Sequence, residues 1–161
     1  MKNQLYIKSV DRSFFNRPNL GLFIDTVFNN FNELYNFPQL KHNREEIIRL
    51  LNSDKFHGFL IFYGNKMIGY LLGEILNYNG LSLYFINYLF VSPVFRDKKL
   101  GTQLIKFAKN YVIMENLDGI SLISDTENNK NFNFYRKLGF EIHEDRLYQR
   151  HELFIWKKTN N

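Results

Sequence analysis

The run LSLYFINYLFV, Leu81–Val91, constrains the fold more than any other stretch of this chain. Its apolar residues occupy both alternating sets of positions, so an extended strand here needs cover on both faces. Pro93 stops the run, and from Gly101 to about Met114 the residues Leu104, Ile105, Ala108, Tyr111 and Val112 fall on one helical stripe. Ile120 to Ser124 then reads as a short strand. A strand, a helix and a strand at this spacing predict a right-handed parallel crossover, with the 81–91 strand at the centre of a sheet.

The flanking elements follow from the same patterns. Residues 4 to 9 alternate and predict a first strand. Leu20, Phe23, Ile24, Val27, Phe28 and Phe31 follow helical spacing after Pro18, with Asn19 as the expected N-cap, and a second helix is predicted over about Asn43 to Asn52. Gly58 to Tyr63 and Met67 to Leu76 are β-rich runs joined by Gly64-Asn65-Lys66, and Asn77 to Gly80 is a second turn. A helix from about Asn128 to Leu138 ends at Gly139, a suitable C′ residue, and Phe140 to Glu144 and Glu152 to Lys157 close the chain as strands. The expected order is β-α-α-β-β-β-α-β-α-β-β. No repeat or linker divides it, so one α/β domain with a mixed sheet is expected over residues 1–161.

Composition narrows the chemistry. A chain of 161 residues buries roughly 70% of its unfolded surface, so it needs neither disulfides nor a structural metal. It has no cysteine, which removes a thiol nucleophile, a thiolate zinc site and a redox switch together. Its four histidines, His42, His57, His143 and His151, show no metal-ligand spacing and read as lone surface or strand residues, so no metal is expected. The start of the chain has no apolar signal core and no stretch approaches the ~18 apolar residues of a spanning helix, so a cytoplasmic location and no membrane partner are expected. A net charge of +5 fits a nucleic acid, a small polyanion or no ligand at all. The cations cluster at one loop and are otherwise dispersed, which argues against nucleic acid.

That loop lies in LFVSPVFRDKKLGTQLI, Leu89 to Ile105, where a buried strand ends and a helix begins. Unpaired N–H groups and the helix dipole make such a junction an anion site, and Arg96, Lys98 and Lys99 add charge. It reads as a phosphate or pyrophosphate binder, or as a solvated basic loop that merely precedes a helix. The G-x-x-x-x-G-K-[ST] and G-x-G-x-x-G spacings are both absent.

This segment resembles the acetyl-CoA-binding motif of the GNAT acetyltransferase superfamily, R/Q-x-x-G-x-G/A, which falls on Arg96, Lys99 and Gly101 with lysine at the first glycine position. A second segment, Asn128 to Glu141, resembles the family's N-x-x-A-x-x-x-Y-x-K-x-G-F motif. Asn128, Tyr135, Lys137, Gly139 and Phe140 match it, and Asn131 replaces the small residue. The resemblance implies a GNAT fold whose sheet is splayed between the 81–91 strand and the strand near Ile120 to Ser124. Pantetheine would lie in that cleft against main-chain groups of Leu89, Phe90 and Val91. The pyrophosphate would sit on the N–H groups of Arg96, Asp97, Lys98 and Lys99 and of Leu100, Gly101 and Thr102, with Asn128 and Asn131 facing the cofactor from the next helix.

The implied activity is direct transfer of an acetyl group from acetyl-CoA to a primary amine of a small molecule or a protein. The resemblance gives the Val91 N–H to the oxyanion and Tyr135 to the departing thiolate as general acid, although Tyr135 in isolation reads as a core aromatic. Many relatives carry a glutamate where this chain has Asn87, which cannot act as a base. Asn87 either orients a water or the acceptor, or is a satisfied structural amide. Glu74, on the preceding strand, is the carboxylate candidate for the base, against its reading as a surface charge. Tyr84 and Tyr88 read as sharing a face, lining the acceptor site or the core, and Phe28, Phe31, Tyr35 and Phe37 read as an acceptor wall or as core. The competing function is a non-catalytic acyl-CoA-binding regulatory module, for which Asn87 is the main support. Exposed strand edges near the C-terminus leave a homodimer open.

Overall fold

In the computed structural model, which describes residues 3–15, 18–31, 42–125, 128–146 and 151–159, the first four strands form an antiparallel meander. Strand β1 (Leu5–Asp11) pairs with β2 (Phe56–Tyr63), β2 with β3 (Lys66–Tyr78), and β3 with β4 (Leu81–Val91). Asn79 and Gly80, at φ 48° and 79°, make the β3–β4 turn, a pair of left-handed angles that matches the twist of a hairpin. Helices α1 (Leu20–Asn30) and α2 (Arg44–Asn52) lie between β1 and β2. Helix α3 (Leu100–Met114) carries the chain from β4 to β5 (Gly119–Asp125), and α4 (Asn129–Lys137) leads to β6 (Glu141–Arg146) and β7 (His151–Lys157). The sheet order is β1-β2-β3-β4-β5-β7-β6, with β4 and β5 its parallel pair. The expected element order is found, and the 81–91 run holds the middle of the seven positions.

The helix ends are made by the residues that flank them. The Asn43 side chain accepts the Glu46 N–H at 2.8 Å, and Glu45 and Glu46 place negative charge on the first turn of α2. Gly139, at φ 90°, ends α4: its N–H bonds to the Arg136 carbonyl and the Phe140 N–H to the Tyr135 carbonyl. Asn19 is the N-cap of α1, as expected, through its carbonyl, which accepts from the Phe23 N–H, while its side chain caps nothing.

The sheet carries a core on each face. On one side Leu104, Ile105, Ala108 and Val112 of α3 pack with Leu71, Tyr84, Ile86, Ile120 and Leu122. On the other, Val27 of α1 and Ile47 and Leu51 of α2 pack with Leu60, Tyr70, Leu72 and Tyr88. Both clusters draw on β4, yet not by simple alternation. Leu72 pairs with Tyr88 and Gly73 with Ile86, so Asn87 is an extra residue in β4. The bulge inverts the parity of the strand: Tyr84 and Ile86 face α3, whereas Tyr88 faces α1 and α2. The expectation that Tyr84 and Tyr88 share a face is therefore overturned. Gly73 makes the bulge possible, because a Cβ there would lie 2.5 Å from the Phe85 carbonyl and 2.6 Å from the Tyr84 ring.

Candidate active site

Parallel pairing between β4 and β5 covers only Leu83 to Ile86 against Gly119 to Leu122. Both strands continue beyond it, β4 to Val91 and β5 to Asp125, so a wedge opens between them just past the Asn87 bulge. The Ser92 N–H bonds to the Ile68 carbonyl at 2.8 Å. By the alternation of an antiparallel ladder, Phe90 then bonds to β3, while the N–H and C=O groups of Leu89 and Val91 turn into the wedge. They form a strand edge with no strand beside it.

The loop after β4 brings a helix start to the mouth of that wedge. A 3-10 turn, Pro93–Phe95, reverses the chain, and Asp97 and Lys99 both adopt left-handed angles, φ 62° and 60°. Lys99 thus takes the conformation that a glycine would supply at its position in the motif, and caps α3 without a side-chain bond. The first intrahelical acceptor at this end is the Lys99 carbonyl, which takes the Gln103 N–H, so the N–H groups of Leu100, Gly101 and Thr102 have no intrahelical partner. The Leu100 side chain is buried in the core and anchors this turn. At Gly101 a Cβ would meet the Phe134 ring at 3.3 Å, so glycine lets α4 approach closely. Arg96 turns back, its Nε donating to the Val91 carbonyl at 2.9 Å, and so ties the loop to the strand end. Lys98 lies over the Phe95 ring, and Asp97 reaches Lys130 of α4 at 3.5 Å in an exposed ion pair that links the two sides of the mouth.

From the β5 side, Asn128 Oδ1 accepts the Asn131 N–H at 3.2 Å, which leaves the Asn128 amide nitrogen for a ligand, and Asn131 is exposed. The Tyr135 ring is half-buried against Phe134, Phe140 and Phe154, while its hydroxyl has no hydrogen-bond partner among the described residues. Burial pushes that phenol above its usual range, so it carries its proton at neutral pH. Both readings of Tyr135 are therefore compatible with its position: the ring belongs to the core and the hydroxyl is unspent.

Several candidates on the acceptor side are already engaged. Glu74 is buried, and both of its oxygens bond to Arg49, at 2.7 and 3.2 Å, while Arg49 also holds Glu46. The carboxylate proposed as a surface charge or a base is instead the clamp between α2 and β3. Tyr84 is fully buried on the α3 face and donates to the His57 carbonyl at 2.6 Å, so it lines no acceptor site. Phe28 stacks on His42 at 5.2 Å and receives the Arg44 guanidinium 4.1 Å from its centroid. Tyr35, Phe37 and the His151 side chain lie outside the described residues. Asn87 is not a satisfied amide: its Oδ1 is buried at the bulge with no partner among the described residues.

The histidines also differ from their reading as lone groups. His57 is half-buried, stacks on Tyr111 at 4.1 Å and bonds to Ser9 Oγ at 2.7 Å, and burial lowers its proton affinity. His143 borders a concavity of about 260 Å³ with Glu141, Ile155 and Lys157, two strands beyond β5. His42, the residue that sequence reasoning undervalued most, is buried and bonded at both ring nitrogens, to the Tyr88 hydroxyl at 2.8 Å and the Phe28 carbonyl at 3.0 Å. It precedes α2 outside any periodic run, and no local pattern marks it. Among the described residues no helix is long and apolar enough to cross a membrane, and no group of three or more His, Cys, Asp or Glu side chains is placed to hold a metal ion.

A mixed sheet that opens between its two parallel strands, with a helix start facing the opening, is the architecture of the acyltransferases whose motifs this sequence resembles. The chain belongs to the acetyltransferase (GNAT) family, whose profile matches residues 24–140. It is 38% identical over 68 residues to a spermidine N(1)-acetyltransferase of Escherichia coli, a match covering 42% of this chain and 35% of that protein, so the chain spans about a third of the length of the curated relatives it matches. Among solved structures, the PaiA N-acetyltransferase of Thermoplasma acidophilum in complex with coenzyme A superposes with a TM-score of 0.69 at 15% identity, over 96% of this chain and 99% of that one. An aminoglycoside acetyltransferase from an uncultured soil metagenomic sample gives 0.67 at 20% identity, over 89% and 93%. These likenesses establish the GNAT fold of the chain.

Proposed function

We propose that residues 1–161 act as one acetyl-CoA-dependent N-acetyltransferase domain that moves an acetyl group directly to a primary amine of a small molecule or a protein. The observation that carries this reading is the wedge past the bulge, whose free main-chain edge ends at the unpaired N–H groups of α3. Those groups fit the cofactor. A pantetheine amide finds donors in the Leu89 and Val91 N–H groups and an acceptor in the Leu89 carbonyl, the Val91 carbonyl being held by Arg96. A pyrophosphate finds three helix N–H groups beside Lys98 and Lys99, with the Asn128 amide added by the family resemblance. Acetyl-CoA supplies an acyl group activated as a thioester.

The chain's own residues do the rest. The Val91 N–H, held in the wedge, donates to the carbonyl oxygen as negative charge develops there. Tyr135 holds a proton on its hydroxyl for the departing sulfur, and its burial keeps that proton in place. Asn87 Oδ1 has an unmet need for a donor, which an N–H of the acceptor amine supplies; an unsatisfied buried acceptor costs about 1–3 kcal/mol. The similarity to a spermidine acetyltransferase supports a polyamine as the first acceptor to try.

The test is release of free CoA from acetyl-CoA with spermidine, an aminoglycoside and a short peptide as acceptors, comparing wild type with Tyr135→Phe. Turnover by wild type, reduced in the variant at unchanged CoA affinity, is the expected result. Tight CoA binding without turnover on any acceptor would replace this reading with the non-catalytic acyl-CoA-binding module, which the commitment of Glu74 to Arg49 favours.

A further inference from the structure

Attack on the thioester needs a neutral amine, yet a primary alkylamine is mostly protonated at neutral pH, so the site needs a proton acceptor. The carboxylates and amides nearest to hand do not serve. Glu74 gives both oxygens to Arg49, and Asn87 has no basic atom.

The α1/α2 face of β4 holds a different arrangement. Tyr88 follows the bulge directly and precedes Leu89, whose main chain edges the wedge. Its ring is buried, and its hydroxyl lies 2.8 Å from His42 Nδ1. The opposite ring nitrogen, Nε2, lies 3.0 Å from the Phe28 carbonyl. A carbonyl only accepts, so Nε2 carries the proton, and in the neutral imidazole Nδ1 must accept from the Tyr88 hydroxyl. The protons of the pair are thereby ordered. Tyr88 Oη keeps its lone pairs free for another donor, Nδ1 is the basic end, and the Phe28 carbonyl stands ready to stabilise an imidazolium.

The surroundings hold this order. Phe31 packs on both rings, 5.0 Å from Tyr88 and 6.3 Å from His42, and Phe28 stacks on the imidazole. The charged groups of the neighbouring elements are Arg44, Glu45, Glu46 and Arg49 of α2, Asp25 of α1, which is paired to Arg44, and Lys66 and Glu74 of β3, Glu74 being paired to Arg49; the Tyr70 phenol of β3 accepts from Asn30. Burial raises the Tyr88 phenol, so it passes a proton on without standing as a phenolate.

We propose that His42, acting through the Tyr88 hydroxyl, takes the proton of the acceptor amine. The inference rests on the acetyltransferase reading above. In the step, an N–H bond of the ammonium breaks as an O–H bond forms at Tyr88. The original Tyr88 O–H breaks as His42 Nδ1–H forms. One positive charge moves from the ammonium to the imidazolium, no electrons are gained or lost, and the proton leaves to water after transfer. Tyr88 is the group that meets the amine, and His42 is a positioning residue behind it.

The test compares wild type, His42→Gln, Tyr88→Phe and the double variant, with acetyl-CoA and whichever of spermidine, kanamycin or a Met-initiated peptide the wild type uses best. Glutamine donates to the Phe28 carbonyl but cannot take a proton. The expected result at pH 7 is a loss of about 100-fold in kcat/KM for each single variant. That loss shrinks by about tenfold per pH unit as the amine deprotonates unaided, and the double variant is no worse than either single one. CoA affinity and melting temperature serve as controls. A wild-type rate and pH profile in either variant would overturn the relay while leaving the acetyltransferase intact. So would a loss that stays constant with pH, or losses that multiply in the double variant. No CoA release by the wild type with any of the three acceptors would instead overturn the acetyltransferase reading, and the relay with it.

Discussion

Lys99 shows how one residue can be retained against its own backbone preference. It holds φ 60° at the start of α3, a conformation that strains an L-residue by about 1–2 kcal/mol, whereas glycine there forfeits only about 0.5–1 kcal/mol in chain entropy. Lys99→Gly is expected to raise the melting temperature by one to a few degrees. The same variant should weaken CoA binding, because the ammonium at the helix start is lost, and calorimetric titration at low and high salt checks this: the wild-type advantage should shrink in high salt. Tyr135 belongs to the same scale. Removing its hydroxyl in Tyr135→Phe leaves the ring packing intact, so kcat is expected to fall about 100-fold with little change in stability, measured by steady-state kinetics beside thermal melts. At this scale the two motif segments were legible as structure, because a helix start after a basic loop and a helix end at glycine depend on residue types at a fixed spacing. His42 was not, since its importance comes from Tyr88, 46 residues away, and from a carbonyl at the end of α1.

Elements explain what single residues cannot. The 81–91 strand, its crossover helix and the hairpins were readable because burial on two faces and helical periodicity leave a direct trace in the sequence. The bulge left none. One inserted residue becomes visible only when the partner strand supplies a register, and that is why Tyr84 and Tyr88 seemed to share a face. Glu74 was misread for a similar reason, because a strand residue of alternating pattern does not reveal a cation on a helix that packs over it. The Arg49–Glu74 clamp carries a prediction at this level. Arg49→Met strands a buried carboxylate, while Arg49 itself is 48% exposed, so a loss of about 2 kcal/mol is expected, below the ~3–5 kcal/mol for breaking a fully buried pair. Adding Glu74→Met should recover most of it, and urea denaturation of the two variants decides the matter: a double variant as unstable as Arg49→Met would show that the clamp is not the source of the loss.

At the scale of the whole molecule, stability should depend on pH through His57. Burial lowers its proton affinity in the folded protein below that of the unfolded chain, whose imidazole titrates near 6.5. Below that pH the unfolded state binds more protons, so the contribution is complete above about pH 6.5 and is lost as pH falls through the folded value, at no more than ~1.4 kcal/mol per pH unit for one proton. Melting temperatures measured from pH 7.5 down to 5 should therefore decline, and His57→Gln should flatten the upper part of that decline. The wedge has a wider consequence. Only four residue pairs bond β4 to β5, so the two halves of the sheet are stitched at one end and gape at the other. A cofactor lying in the gap would complete the ladder as an eighth, exchangeable strand, and its supply would enter the folding equilibrium: at 100 times its dissociation constant it adds about 2.7 kcal/mol. The lifetime of this protein in a cell would then rise and fall with the supply of whatever fills the gap, making its abundance a readout of that ligand.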